Sequence, residues 1–134
     1  MLVIDASFVV AALIDNGKNG TWACELLSCN KLAAPHLMPV EVTNILRRSV
    51  LNGDISADSA ALAHADLLDL RVDLFPYEPF ASRVWELYHN LTCYDAWYVA
   101  LAEALEAKLA TLDVRLSKSQ GPQCFFETPV LSLR

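Results

Sequence analysis

No two of the four cysteines, Cys24, Cys29, Cys93 and Cys124, stand in a CxxC pair, and none is grouped with histidine as a zinc site requires. They are expected as buried thiols in a reducing cytoplasm. A glycine-rich phosphate loop, a Ser-His-Asp arrangement and a paired catalytic histidine are all missing, which leaves nucleotide-triphosphate and covalent mechanisms without support. Basic residues are outnumbered 10 to 16, and the formal net charge of -6 argues against a generally basic surface for nucleic acid. A clustered acidic site would account for several of those charges, and bound metal ions would move the balance toward neutral. The N-terminus lacks a basic region, and its apolar run is broken by Asp5 and Asp15, the wrong pattern for a signal peptide or a membrane span. A cytoplasmic chain with no membrane contact is expected. Nor is there an internal repeat or a low-complexity linker. With 134 residues, 54% of them hydrophobic, the chain is expected to form a single domain over 1–134 with one well-packed core.

What is present is organised around the stretch from Thr92 to Asp113, which reads as a buried helix feeding a short buried strand. Between Tyr94 and Leu105 almost every side chain is apolar, so this helix is expected inside the molecule. Thr92 suits the N-cap and an acid follows three positions later, a capping-box pattern that puts Asp95 near the positive end of the helix dipole. A capping Asp ordinarily sits at a wet helix end; pressed into apolar surroundings it needs donors or a cation. On these grounds a cap and a site residue are equally open for Asp95. The run Lys108–Leu112 is too short for another helix and reads as a strand stopping at Asp113. Met1–Ile4 repeats that pattern, ending at Asp5 ahead of Ser7 and an apolar helix over Ala6–Ile14. In a parallel sheet, Asp5 and Asp113 would both emerge at the carboxyl edge, where such sheets bind ligands.

The remaining elements follow from local signals. Asp15, Asn16, Gly17 and Gly20 mark a loop, Trp22–Leu27 a short helix, and Lys31–Ala34 a strand that stops before Pro35. Pro39 suits the first turn of a helix running to about Asn52, with Gly53 in the position that commonly ends helices. On that helix Val42, Ile45, Leu46 and Ser49 form a core stripe, and Glu41, Asn44 and Arg48 share an adjoining face. Taken alone, Glu41 is a solvated acid favouring the dipole. Ser56 caps a helix to about Leu70, Val72–Phe75 is a strand, and Pro79 opens a helix through Trp85 to about His89. After Asp113 come a short amphipathic helix, broken by Gly121-Pro122, and a last strand over Cys124–Phe126. Strands alternating with helices predict an α/β fold, a three-layer α/β/α sandwich with a mostly parallel central sheet.

Such a sheet edge would gather Asp5, Glu41, Asp95 and Asp113 with no base placed to neutralise all four. Without cations, mutual repulsion would force some of them to take up protons, so the set points to bound divalent metal. Oxygen-only ligands favour Mg²⁺, with Mn²⁺ as a substitute. One or two such ions polarise a phosphodiester and lower the pKa of a bound water, which makes hydrolysis of a nucleic-acid backbone the natural reaction.

Four segments carry a family resemblance: LVIDAS, PVEVTNILRR, YDAWYVALAE and LATLDVRL. In order and separation they resemble the PIN-domain ribonucleases, specifically the VapC-type toxins of bacterial toxin-antitoxin pairs, over nearly the whole chain. The family's acidic positions fall on Asp5, Glu41, Asp95 and Asp113. The resemblance implies a PIN-like fold and a Mg²⁺-dependent endoribonuclease, with Asp5 and Asp95 as direct metal ligands and Glu41 and Asp113 completing the site. Ser7 and Asn44 would stand beside the ligands. Arg115 would hold an RNA phosphate, a surface role being equally open, and Lys118 is a weaker candidate. Also implied are a VapB-type antitoxin, a homodimer and a toxin-antitoxin hetero-oligomer; apolar and aromatic residues on the early helices and around Trp85 and Tyr88 could supply the dimer contact, and the interface is left unassigned. Tyr94 and Trp97, on so apolar a helix, are expected in the core rather than against RNA bases. Two other classes stay open: a catalytically silent PIN-like protein that binds RNA or a partner, and a metal-dependent phosphatase or 5′ nuclease. The complete acidic set weighs against the first. Small size weighs against a 5′ nuclease, and Ser7, standing where an aspartyl phosphatase carries a second Asp, weighs against a phosphatase.

Overall fold

A computed structural model describes residues 1–129. Its elements are β1 (Leu2–Ile4), α1 (Ala6–Ile14), α2 (Lys18–Cys29), β2 (Leu32–Pro35), α3 (Met38–Leu51), α4 (Ala57–Asp69) and β3 (Val72–Phe75). A 3-10 turn over Glu78–Phe80 then leads into α5 (Ala81–Glu86), α6 (Cys93–Leu105), β4 (Lys108–Ala110), α7 (Val114–Ser117) and β5 (Phe126–Glu127). Among the described residues the strands form one sheet in the order β3-β2-β1-β4-β5, and every pairing is parallel.

The central strands are short apolar runs because they are covered on both faces: β1 and β2 are buried at every position. Helices α1 to α4 pack on one another, and α5 packs on α6, which runs along β1, β2 and β4. Phe8, Val9, Met38, Val42, Val99, Leu101 and Leu109 lie in the core these layers enclose. This is the expected three-layer arrangement, with a wholly parallel sheet. From β1 the chain steps outward to β2 and β3, then returns to β4 on the other side of β1. Connections leave β1 and β4 in opposite directions, so their carboxyl ends form the switch point at which parallel sheets generally bind ligands.

Four local expectations are corrected. Residues 15–20 are not all loop: α2 begins at Lys18 and contains a buried Gly20. A Cβ there would come within 1.8 Å of the Asp15 carbonyl oxygen, so the missing side chain is what lets α2 fold back against the end of α1. The helix expected from Pro79 to His89 divides into the 3-10 turn and α5, and the chain beyond Glu86 tightens into turns, with Leu87 N–H donating to Val84 and Asn90 N–H to Leu87. The last strand is Phe126–Glu127 rather than Cys124–Phe126, since those two residues are the partners of Leu109 and Ala110. The cysteines are not buried: Cys24, Cys29 and Cys93 are exposed and Cys124 is half-buried, all of them free. Cys24 and Cys29 lie off the buried face of α2, which Gly20 and Ala23 form, and Cys93 opens α6 at its solvent end. No helix among the described residues is long and apolar enough to cross a membrane.

Candidate active site

Each of the four acids stands at the start of a helix. Asp5 follows β1 and caps α1, Glu41 is in the first turn of α3, Asp95 is in the first turn of α6, and Asp113 caps α7. The positive ends of these helix dipoles favour carboxylates there. The caps are formed by side chains the sequence supplies locally: Asp5 Oδ1 accepts from Phe8 N–H at 2.9 Å, Thr92 Oγ1 from Asp95 N–H at 3.1 Å, and Asp113 Oδ1 from Leu116 N–H at 3.1 Å.

Asp5 is the deepest of the four, 8% exposed. Ser7 Oγ donates to its Oδ1 at 2.7 Å, and Thr111 Oγ1 donates to its Oδ2. Each hydroxyl also accepts a backbone bond from the segment after β4: Ser7 Oγ from Leu112 N–H at 3.1 Å and Thr111 Oγ1 from Asp113 N–H at 3.0 Å. Two hydroxyls thus tie the end of β1 to the turn that carries Asp113. Burial pushes the Asp5 carboxyl up to about 6, against the opposing pull of the Thr111, Phe8 and Ser7 hydrogen bonds and with a further push from Asp95.

Glu41 is half-buried, and its Oε1 accepts from the Tyr98 hydroxyl at 2.6 Å. Burial raises its pKa, the Tyr98 bond lowers it, and the Asp95 charge raises it again. The Tyr98 phenol itself is pushed far above its ordinary value, first by burial and then by Glu41, so it stays a donor. Asp95 is raised by burial first and by the Asp113 charge second. Asp95 is therefore within electrostatic reach of the other three acids, and its neighbours are negative. Among the described residues the ion pairs are Arg83 with Glu86 and Glu103 and Lys108 with Glu127; none involves the four. As the side chains stand, no three acidic, histidine or cysteine groups among the described residues are close enough together to hold a metal ion between them.

The other expected site residues separate. Ser7 touches Asp5, as above. Asn44 stands a turn past Glu41, exposed and making no side-chain hydrogen bond among the described residues. Arg115 and Lys118 are exposed, and no carboxylate there pairs with either. Tyr94 corrects the expectation of a core aromatic: it is 62% exposed beside Asp95, whereas Trp97 is half-buried with its ring edge against Tyr77. Position 94 lies in the first turn, before α6 enters the core. Sequence reasoning missed Thr111 and Tyr98. The signal available for Thr111 was a hydroxyl in an otherwise apolar strand end just before an acid; for Tyr98 there was only a phenol hydroxyl in the apolar middle of the helix.

The chain belongs to the PIN domain family, whose model matches residues 2–121. Among curated proteins it is similar to Ribonuclease VapC1 of Mycobacterium tuberculosis, 42% identical over 123 residues that cover 91% of this chain and 92% of that protein. It is also similar to Ribonuclease VapC9 of the same organism, 39% identical over 124 residues, covering 92% and 94%. Among solved structures, PAE2754 from Pyrobaculum aerophilum superposes with a TM-score of 0.71 at 22% identity, covering 99% of this chain and 87% of that one. VapBC2 from Rickettsia felis, bound to a DNA fragment from its promoter, gives 0.65 at 13%, covering 95% and 97%. These two structures share the fold.

Proposed function

We propose that the protein is a Mg²⁺-dependent endoribonuclease that hydrolyses RNA phosphodiester bonds and acts as the toxin of a toxin-antitoxin pair. The observation that carries this reading is the position of Asp95, which lies within electrostatic reach of Asp5, Glu41 and Asp113 while no cation among the described residues pairs with any of them. The similarity to VapC ribonucleases over nine-tenths of the chain supports RNA as the substrate.

The donor set is all oxygen and carries uncompensated charge, which fits Mg²⁺, with Mn²⁺ as a substitute, kept partly hydrated. Asp5 and Asp95 would hold the ion, and Glu41 and Asp113 would complete the acidic site or orient water. A bound divalent ion there supplies a water of lowered pKa and offsets charge on the phosphodiester. The chain's own contribution is positioning: Ser7 and Thr111 hold Asp5 from both of its oxygens, and Glu41, Asp95 and Asp113 each stand at a helix start. Arg115, two residues past Asp113 and in no ion pair among the described residues, would hold an RNA phosphate.

The partner in this reading is a VapB-type antitoxin, with support from the likeness in fold to VapBC2. Self-association would use the exposed ring stack in which Trp85 lies 4.4 Å from Tyr88. The setting is cytoplasmic. Sequencing of RNA ends after brief induction in cells, compared with an Asp95→Asn form, tests the whole reading. New ends confined to the parent are expected; identical ends from both forms would remove the nuclease assignment.

A further inference from the structure

Of the buried residues on α6, which are Ala96, Tyr98, Val99, Ala100, Leu101 and Ala102, Tyr98 alone carries a polar side-chain atom. It is 2% exposed. Packing would be served as well by phenylalanine, and a hydroxyl taken from water into such surroundings costs free energy unless it finds a partner. The partner it finds is Glu41 Oε1, on another helix and 57 residues earlier in the chain, at 2.6 Å. Glu41 is the acid with the longest side chain in the site, and among the described residues its carboxylate accepts from no backbone N–H, its one bond being to Tyr98. Asp5 and Asp113 each accept from a backbone N–H, and the backbone of Asp95 is tied to Thr92.

We propose that Tyr98 is a positioning residue of the metal site: its hydroxyl fixes Glu41 by Oε1 and leaves Oε2, which accepts no hydrogen bond among the described residues, as the oxygen offered to the cation. This rests on the reading of Glu41 as a metal-site acid. Glutamate loses rotamer freedom when it is immobilised, and a tether already in place removes part of that cost from metal binding. A neutral donor is suited to the task, because a Lys or Arg there would neutralise the carboxylate and compete with the cation. Hydrogen-bonding partners behind metal ligands act in this way generally.

The test is calorimetric titration of the full-length, metal-free protein with Mn²⁺, for the parent, Tyr98→Phe, Asp95→Asn and the packing control Val99→Ala. Thermal unfolding of each without metal, and cleavage of RNA across a Mg²⁺ series, complete it. Tyr98→Phe should bind Mn²⁺ about 10-fold more weakly. It should also need correspondingly more Mg²⁺ for half-maximal cleavage while keeping the parent kcat at saturation. Val99→Ala, buried one residue away, should lower the unfolding temperature and leave Mn²⁺ affinity alone. Equal Mn²⁺ affinity for Tyr98→Phe and parent would overturn the inference by itself, as would a loss of kcat that saturating Mg²⁺ does not restore. A parent that binds no Mn²⁺, or an Asp95→Asn form that binds it equally well, would bring down the metal-site reading and this inference with it.

Discussion

Thr111, just past the end of β4, donates its hydroxyl to Asp5 Oδ2 across 106 residues of chain, while its own Oγ1 accepts from Asp113 N–H. Thr111→Val keeps the shape and removes both bonds. A buried carboxylate oxygen and a backbone donor would lose their partners, at a cost of about 1–3 kcal/mol each before water or neighbours compensate. Urea unfolding at neutral pH should show the variant less stable than the parent, and its RNA cleavage should fall. An unchanged midpoint and slope would mean the two bonds contribute nothing net.

The pH dependence of stability follows from Asp5. Its carboxyl is pushed up to about 6 in the fold from an ordinary 3.8, so the folded chain holds that proton more tightly than the unfolded chain does. Below about pH 4 the group is protonated in both states and has no effect. As the pH rises from about 4 to about 6 it ionises first in the unfolded chain, and folding loses up to about 3 kcal/mol from this one group. Glu41 and Asp95, also raised chiefly by burial, act in the same sense. Metal-free protein should therefore lose stability across this window. Asp5→Asn should flatten the difference, measured by denaturant unfolding in chelator at several pH values, and added Mg²⁺ should reverse the loss in the parent.

Asp95→Asn removes the carboxylate that couples to the other three. Cleavage should drop by at least about 100-fold, the scale of losing one preorganised electrostatic group. Unfolding temperature should hold or rise slightly, because like-charge repulsion is relieved. Activity at the parent level would take Asp95 out of the chemistry.

Arg115→Ala tests the phosphate contact. With an exposed guanidinium gone, KM for RNA should rise and the salt dependence of binding should weaken by about one phosphate contact. kcat and stability should change little. Fluorescence titration of a labelled RNA with an Asp95→Asn background, at several salt concentrations, measures it directly.

Gly20→Ala addresses the fold rather than the site. An added methyl at 1.8 Å from the Asp15 carbonyl oxygen must push α2 off α1. Overpacking of this kind costs about 1–3 kcal/mol, read as a lower urea midpoint with RNA cleavage per folded molecule preserved.

The elements that carry the four candidate acids were legible because their signals are local. Asp5 and Asp113 follow short apolar runs that end strands, Glu41 follows Pro39 at a helix start and Asp95 follows the Thr92 cap, and caps such as Thr92 and Ser56 need only a few residues of context. The hydroxyls that hold those acids were illegible for the opposite reason: Thr111 meets Asp5, and Tyr98 meets Glu41, only after the sheet has brought distant segments together. Exposure of Tyr94 and of the cysteines likewise depends on which side of a helix finds a neighbour. Composition says apolar, and the packing decides whether the residue is covered. Gly20 looked like a loop signal because a glycine's use in close helix contact leaves no mark beyond the glycine itself.

The amino-acid order by itself determined the alternation of strands and helices, the places where helices begin, and the presence of an acid at four of those beginnings, since periodicity and capping act over a few residues. Only the tertiary structure decided that β4 lies beside β1, that Asp95 comes within reach of Asp5, Glu41 and Asp113, and that hydroxyls from far along the chain hold two of them. Strand order and helix docking are set by long-range burial of apolar faces, and no short stretch of sequence contains that information.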